Sequence, residues 1–175
     1  MARRAWILAS ATALALAGCG NVVTTKIVGI VGLSADAAGN PVVIVAPCGA
    51  AYDQVQVMGL IDRRTADATV QNPVLLDLAS ATTHSEPFTV SLTQPAPDWT
   101  ARGGFEPTAQ TGLDIGAGSG TEDMGATPVQ VSAQDYANVT ADVVIVREGE
   151  RWSRADFDRI ACDHNAWPTA ATSTS

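Results

Sequence analysis

Lysine is almost missing from this chain. Its 175 residues carry ten basic side chains against eighteen acidic ones, for a formal net charge of −8, and Lys26 is the only lysine among them. A surface this poor in cations cannot neutralise a phosphate backbone, which excludes nucleic acid as a partner. It equally excludes a polybasic contact with anionic lipid. Histidine occurs twice and cysteine three times, too sparsely for a metal site, since Cys48 has no His or second Cys nearby. Neither metal nor other cofactor is expected. The run from Ala5 to Ala17 is uncharged but shorter than a bilayer-spanning helix requires. Internal repeats are missing, and so is the strand–helix alternation of a parallel sheet.

What is present begins at the N-terminus. Arg3 and Arg4 precede the apolar Ala5–Ala17 core, and Leu16, Ala17, Gly18 and Cys19 close it. Small residues at 17 and 18 suit cleavage beside Cys19. The pattern resembles the lipobox signal peptide of bacterial lipoprotein precursors. That resemblance implies a signal peptide over 1–18, cleavage between Gly18 and Cys19, and diacylglyceryl attachment to the Cys19 thiol. Two or more acyl chains anchor stably where one binds reversibly. The Arg3–Arg4 pair also resembles a twin-arginine export signal, but only Met1 and Ala2 precede it; the general secretion route is the favoured reading. The expected location is the extracytoplasmic side of the cell membrane, and residues 19–25 form a short lipidated tether. At most about 25 Å of extended chain separates Cys19 from a first strand near Lys26.

Removing Arg3 and Arg4 with the leader takes the net charge from −8 to −10. Such a surplus resists aggregation and could also attract cations or a basic partner. With Cys19 assigned to lipid, Cys48 and Cys162 remain, and an even remainder in an exported chain reads as one disulfide.

The mature chain reads as a series of short strands. Phe88, Val90 and Leu92 alternate with Thr89, Ser91 and Thr93, and segment 54–61 sets Val55, Val57 and Ile61 against Gln54 and Gln56. The apolar runs 27–33 and 42–46 flank a turn at Gly39 and Asn40, which predicts a hairpin. Segments 74–78, 129–131 and 143–146 supply further strands. Ser153 and Asp156 mark the start of a helix over 154–162 with Phe157 and Ile160 on one face, and Ser132–Tyr136 suggests another single turn. Segment 113–128, rich in Gly and small polar residues, is expected to be a long surface loop. Together these features predict a mainly β domain over 26–164, an antiparallel β-sandwich (Ig-like or a small barrel) with one short C-terminal helix. A disordered Ala/Ser/Thr-rich tail over 165–175 follows.

No stretch carries a complete catalytic motif. Gly116–Gly120 lacks the spacing and following Lys of a phosphate cradle, and Asp114, Glu122 and Asp123 lack the ladder of an EF-hand. Ser119 does not sit in a Gly-x-Ser-x-Gly elbow. His84 is placed on a polar turn and His164 at the end of the C-terminal helix. A Ser-His-Asp set stays open, because its members meet in space; a pocket in which His84 or His164 meets a serine or carboxylate would favour an enzyme. Trp152 reads as core. Trp99, in a loop region, either caps the end of the fold or stacks on a sugar or partner. Asn138-Val-Thr140 matches a glycosylation acceptor, of little weight in a bacterial chain.

Asp36, Gly39, Pro41, Val42, Val43 and Cys48 form an early Asp-x-x-Gly-x-Pro-Val-Val hairpin followed by a cysteine. In this the chain resembles small actinobacterial lipoproteins, a group that brings no activity with it. The expected function is that of a lipid-anchored envelope protein, a non-catalytic module binding a protein or cell-wall component. An envelope hydrolase or a small-ligand-binding lipoprotein is the alternative.

Overall fold

A computed structural model describes residues 25–61, 70–104 and 112–167. The signal peptide, the cleavage site at Gly18 and Cys19, most of the tether and the tail from 168 lie outside the described residues.

Strand β1 (Lys26–Ala35) turns into β2 (Pro41–Ala46). The turn is built by Asp36, whose carboxylate accepts from the Ala38 and Asn40 amides at 2.9 and 2.8 Å, while Gly39 takes φ +84°. Then come β3 (Tyr52–Gly59), β4 (Val74–His84), β5 (Phe88–Ser91), β6 (Trp99–Gly103), β7 (Gly112–Gly118), β8 (Met124–Thr127) and β9 (Val129–Ser132). Helix α1 (Ala133–Ala137), strands β10 (Val143–Val146) and β11 (Glu150–Ser153) and helix α2 (Arg154–Ile160) complete the described chain.

The fold is mainly β, as the sequence implies, but the strands do not divide into two separate packed sheets. One continuous sheet curls into an open half-barrel, in the order β11-β10-β1-β8-β7-β3-β4-β6, with β2 beside β1, β5 beside β2 and β9 beside β7. Strand β8 makes the sheet continuous. It runs parallel to β1 (Lys26 opposite Met124) and touches β7 at its other edge (Gly118 opposite Gly125). Beyond Pro128 the chain carries on along β7 as β9. The parallel pair and the second helix correct the expectation of a purely antiparallel sandwich with one helix.

The burial pattern follows from this curl. Strands β3, β4 and β7 bury Val55, Val57, Leu76, Leu78, Leu113 and Ile115 on the inner face and present Gln54, Gln56, Asp77 and Asp114 outward. β1, β2 and β10 are covered on both faces. Val31, Leu33, Val43, Val45 and Ile145 enter the inner core. Ile30, Val42, Ile44, Val144 and Val146 pack on the other side with Trp152, Phe157 and Ile160 around α2. Two-sided burial explains why these three strands read as unbroken apolar runs.

The expected surface loop over 113–128 is a second correction. Most of it is β7 and β8, with Leu113, Ile115 and Ala117 buried. Order also reaches Trp167, which packs against the α2 cluster, although 165–167 fall within the expected tail.

Candidate functional site

The α2 end of the molecule is fastened at three points. Ser153 caps the helix by accepting from the Asp156 amide at 3.0 Å. Cys48 and Cys162 are bridged across 114 positions, with Cα atoms 5.1 Å apart. Trp167 then folds back, its indole N–H donating to the Ile160 carbonyl at 3.0 Å and its ring meeting Trp152 edge-on at 5.9 Å. The exposed His164 ring lies 4.2 Å from that of Trp167.

A second cluster forms at the lip of the half-barrel. Register places Gln54 opposite Ala79 but Tyr52 opposite His84, so Ser80–Thr83 bulge out of β4. The bulge brings Ser80 Oγ to 3.0 Å from His84 Nε2, while the Thr82 amide donates to the same Oγ at 3.1 Å. The His84 ring stacks on Phe88 at 4.7 Å and on Trp99 at 5.4 Å. His84 is therefore no turn residue, and Trp99 is no exposed platform: it starts β6 and is 8% exposed. Bulges often re-aim side chains next to functional sites, and a serine bonded to an imidazole is the core of an activated nucleophile. Among the described residues, no carboxylate hydrogen-bonds the other ring nitrogen.

The third feature is a groove at the seam, where β9 passes the β10–β11 turn. That turn is Arg147-Glu148-Gly149, with φ +46° at Arg147 and +86° at Gly149. The Gln130 amide donates to the Arg147 carbonyl at 2.7 Å, tying the turn to β9. Two cavities flank it. One of about 430 Å³ is lined by Thr127, Pro128, Gln130, Arg147, Glu148 and Glu150. The other, about 450 Å³, includes Leu60, Gly112, Ser132, Asp135 and Gly149. Gln130 and Glu148 line both.

The described cations of this rim are engaged. Arg147 is ion-paired with Glu150, and its guanidinium lies 5.0 Å from the Trp167 ring centre. Arg151 binds Asp135 at 2.6 Å. The Ser132 hydroxyl and then Arg151 hold the Asp135 carboxyl below its ordinary value. Asp114, across from Gln130 in the β7–β9 register, behaves oppositely: burial pushes its carboxyl up, against a hydrogen bond from Gln130. Glu148 is exposed and engages no described residue.

The acidic residues weighed from sequence are not drawn together. Asp114 lies in β7, while Asp123 accepts from the Thr25 hydroxyl at 2.7 Å in the β7–β8 turn that also holds Glu122. No three described His, Cys, Asp or Glu residues are grouped to hold a metal ion. Gly116 and Gly118 are strand residues, Ser119 stabilises the following turn by accepting from the Glu122 amide at 3.1 Å, and Asn138 caps the end of α1. The groove residues Gln130, Arg147, Glu148 and Glu150 carry no catalytic motif, and their one sequence signal is Gly149 shortly after the apolar run 143–146, which marks a turn. No family model matches this chain, and no curated protein or solved structure is significantly similar to it.

Proposed function

We propose that this chain is a lipid-anchored protein of the cell envelope, held through Cys19 on the extracytoplasmic side of the membrane. It acts there as a non-catalytic binding module. The observation that carries this reading is the Cys48–Cys162 bridge. It uses two of the three cysteines and calls for an oxidising compartment, leaving Cys19, inside a lipobox, for acylation. β1 begins seven residues after Cys19, so the tether spans at most about 25 Å and the domain sits close to the bilayer. The resemblance to small actinobacterial lipoproteins agrees with this placement. On such a domain the seam groove is the concave, polar-rimmed surface best suited to a ligand.

The Ser80–His84 contact favours the second reading, an envelope hydrolase. It lacks an orienting carboxylate among the described residues, and the Thr82 amide occupies the serine oxygen, which makes a structural clasp the better account.

The test is palmitate labelling of the expressed chain and of Cys19→Ser, with mass spectrometry of the mature N-terminus and in-cell crosslinking. The expected result is an acylated start at Cys19, lost in the variant, with a crosslinked species enriched only by the anchored form. An unmodified start at another residue overturns the anchoring, and identical crosslinks from both forms overturn the membrane-proximal role.

A further inference from the structure

We infer that the seam groove receives a basic peptide segment of an envelope partner, with its ammonium or guanidinium groups directed at Glu148. This rests on reading the chain as a binding module and names the class of partner.

Four observations converge on this occupant. Glu148 stands between the two cavities, lines both, and has no side-chain partner among the described residues, so its carboxylate can accept a charge-assisted hydrogen bond from either side. The neighbouring cations are committed, Arg147 to Glu150 and the Trp167 ring, Arg151 to Asp135. Among the described residues of the rim, no arginine is left unpaired to draw an anion. Leu60, Pro128 and the glycines at 112 and 149 offer low apolar walls against which the methylene stem of Lys or Arg can lie. Finally, the mature chain carries a formal charge of −10, a field that speeds the approach of a basic segment. Trp99 and Trp152 are buried, and the half-buried Trp167 ring is engaged by the Arg147 guanidinium and by Trp152, so none of the three offers the open aromatic face on which a sugar ring would stack.

The experiment uses the purified full-length chain in neutral detergent, so it does not depend on where or how the protein is anchored. Fluorescently labelled hexalysine and hexaglutamate are titrated by anisotropy at about 50 and 200 mM salt, bracketing the range over which screening of exposed charges becomes substantial. The variants are Glu148→Gln and, as a control for diffuse attraction, Glu122→Gln in the β7–β8 turn. Both positions are exposed, so both variants should fold. The expected result is binding of hexalysine and not hexaglutamate. Affinity should fall about five- to tenfold in Glu148→Gln and stay within about twofold in Glu122→Gln, in line with the loss of one charge-assisted contact. Equal weakening by the two variants, or no hexalysine binding, overturns the proposal. So does binding of both peptides alike, which marks a groove indifferent to charge.

Discussion

Cys48 and Cys162 lie 114 positions apart in sequence and 5.1 Å apart at Cα, each two residues past the end of its element, β2 and α2. The helix covers Ile30, Val42, Ile44, Val144 and Val146, and a seven-residue helix has little stability of its own in water. The bridge therefore holds a lid that packing alone must otherwise keep in place. In the chain-entropy view, closing a loop of this length contributes about 4–5 kcal/mol. The double variant Cys48→Ala/Cys162→Ala should lose a comparable amount in urea unfolding, followed by the fluorescence of Trp152 and Trp167. A loss below about 1 kcal/mol would mean that the unfolded chain gains little freedom when the bridge is cut, contrary to that account.

Gly32 and Gly116 should respond in opposite directions to alanine. A Cβ at Gly32 would run into the Val144 side chain and approach Phe157 Cε2 to 3.2 Å, so Gly32→Ala must push α2 off the sheet. Overpacking of this kind costs about 1–3 kcal/mol. At Gly116 a Cβ meets nothing within 4 Å, and glycine inside a strand costs about 0.5–1 kcal/mol relative to alanine. Gly116→Ala should be neutral or stabilising by up to that amount. Thermal unfolding of both variants provides the check, and the reverse order would show that the sheet near β7 is packed differently.

The same glycines mark where the sequence was and was not legible. Phe88, Val90 and Leu92 alternate cleanly and form β5 and its extension, and Ser153 with Asp156 locates the start of α2. The Cys48–Cys162 bridge follows from counting cysteines. β7 escaped because its outward positions are Asp114, Gly116 and Gly118, so the inward Leu113, Ile115 and Ala117 are interleaved with residues typical of loops. The closure was equally hidden. Periodicity says which face of a strand is apolar, not which strand lies beside it, and β8 joins the two arms through only four residues. The groove depends on that pairing, and the contact of Ser80 with His84 needs the bulge in β4. Neither could be read from local pattern.

Asp114 should make the fold less stable at neutral pH than at acid pH. Burial, opposed by the Gln130 hydrogen bond, raises its carboxyl above the ordinary 3.8. Folding thus favours the protonated form. Its stabilising contribution is fully present below the unfolded value and is lost as pH rises through the raised folded value. Asp135 runs the other way: its carboxyl is lowered, chiefly by Ser132, so its contribution is present above the unfolded value and lost as pH falls through the folded one. Asp114→Asn should therefore raise the urea midpoint at pH 7 and change it little at pH 3. Asp135→Asn should lower the midpoint at pH 7 and lose that effect in acid. A destabilised Asp114→Asn at pH 7 would show that the ionised carboxylate is wanted where it stands.

Ser80 and His84 separate the binding module from the hydrolase. If the pair clasps the lip, its value is structural: the imidazole lies on Phe88 and Trp99 and joins β4 to the first residues of β5 and β6. Removing that ring takes away two stacking contacts, and aromatic stacking contributes about 0.5–1.5 kcal/mol per pair beyond burial. His84→Ala should then lose on the order of 1–3 kcal/mol in unfolding experiments, whereas Ser80→Ala should lose about 0.5–1.5 kcal/mol, the net worth of one hydrogen bond. A catalytic pair makes a different demand. Its serine must attack an electrophile, so a fluorophosphonate probe would label Ser80, and His84→Ala would abolish the labelling without any need to change stability. The clasp predicts no labelling at Ser80 above the level of an exposed serine such as Ser85. Stoichiometric, His84-dependent labelling would turn the β4 bulge from a fastening into an active site.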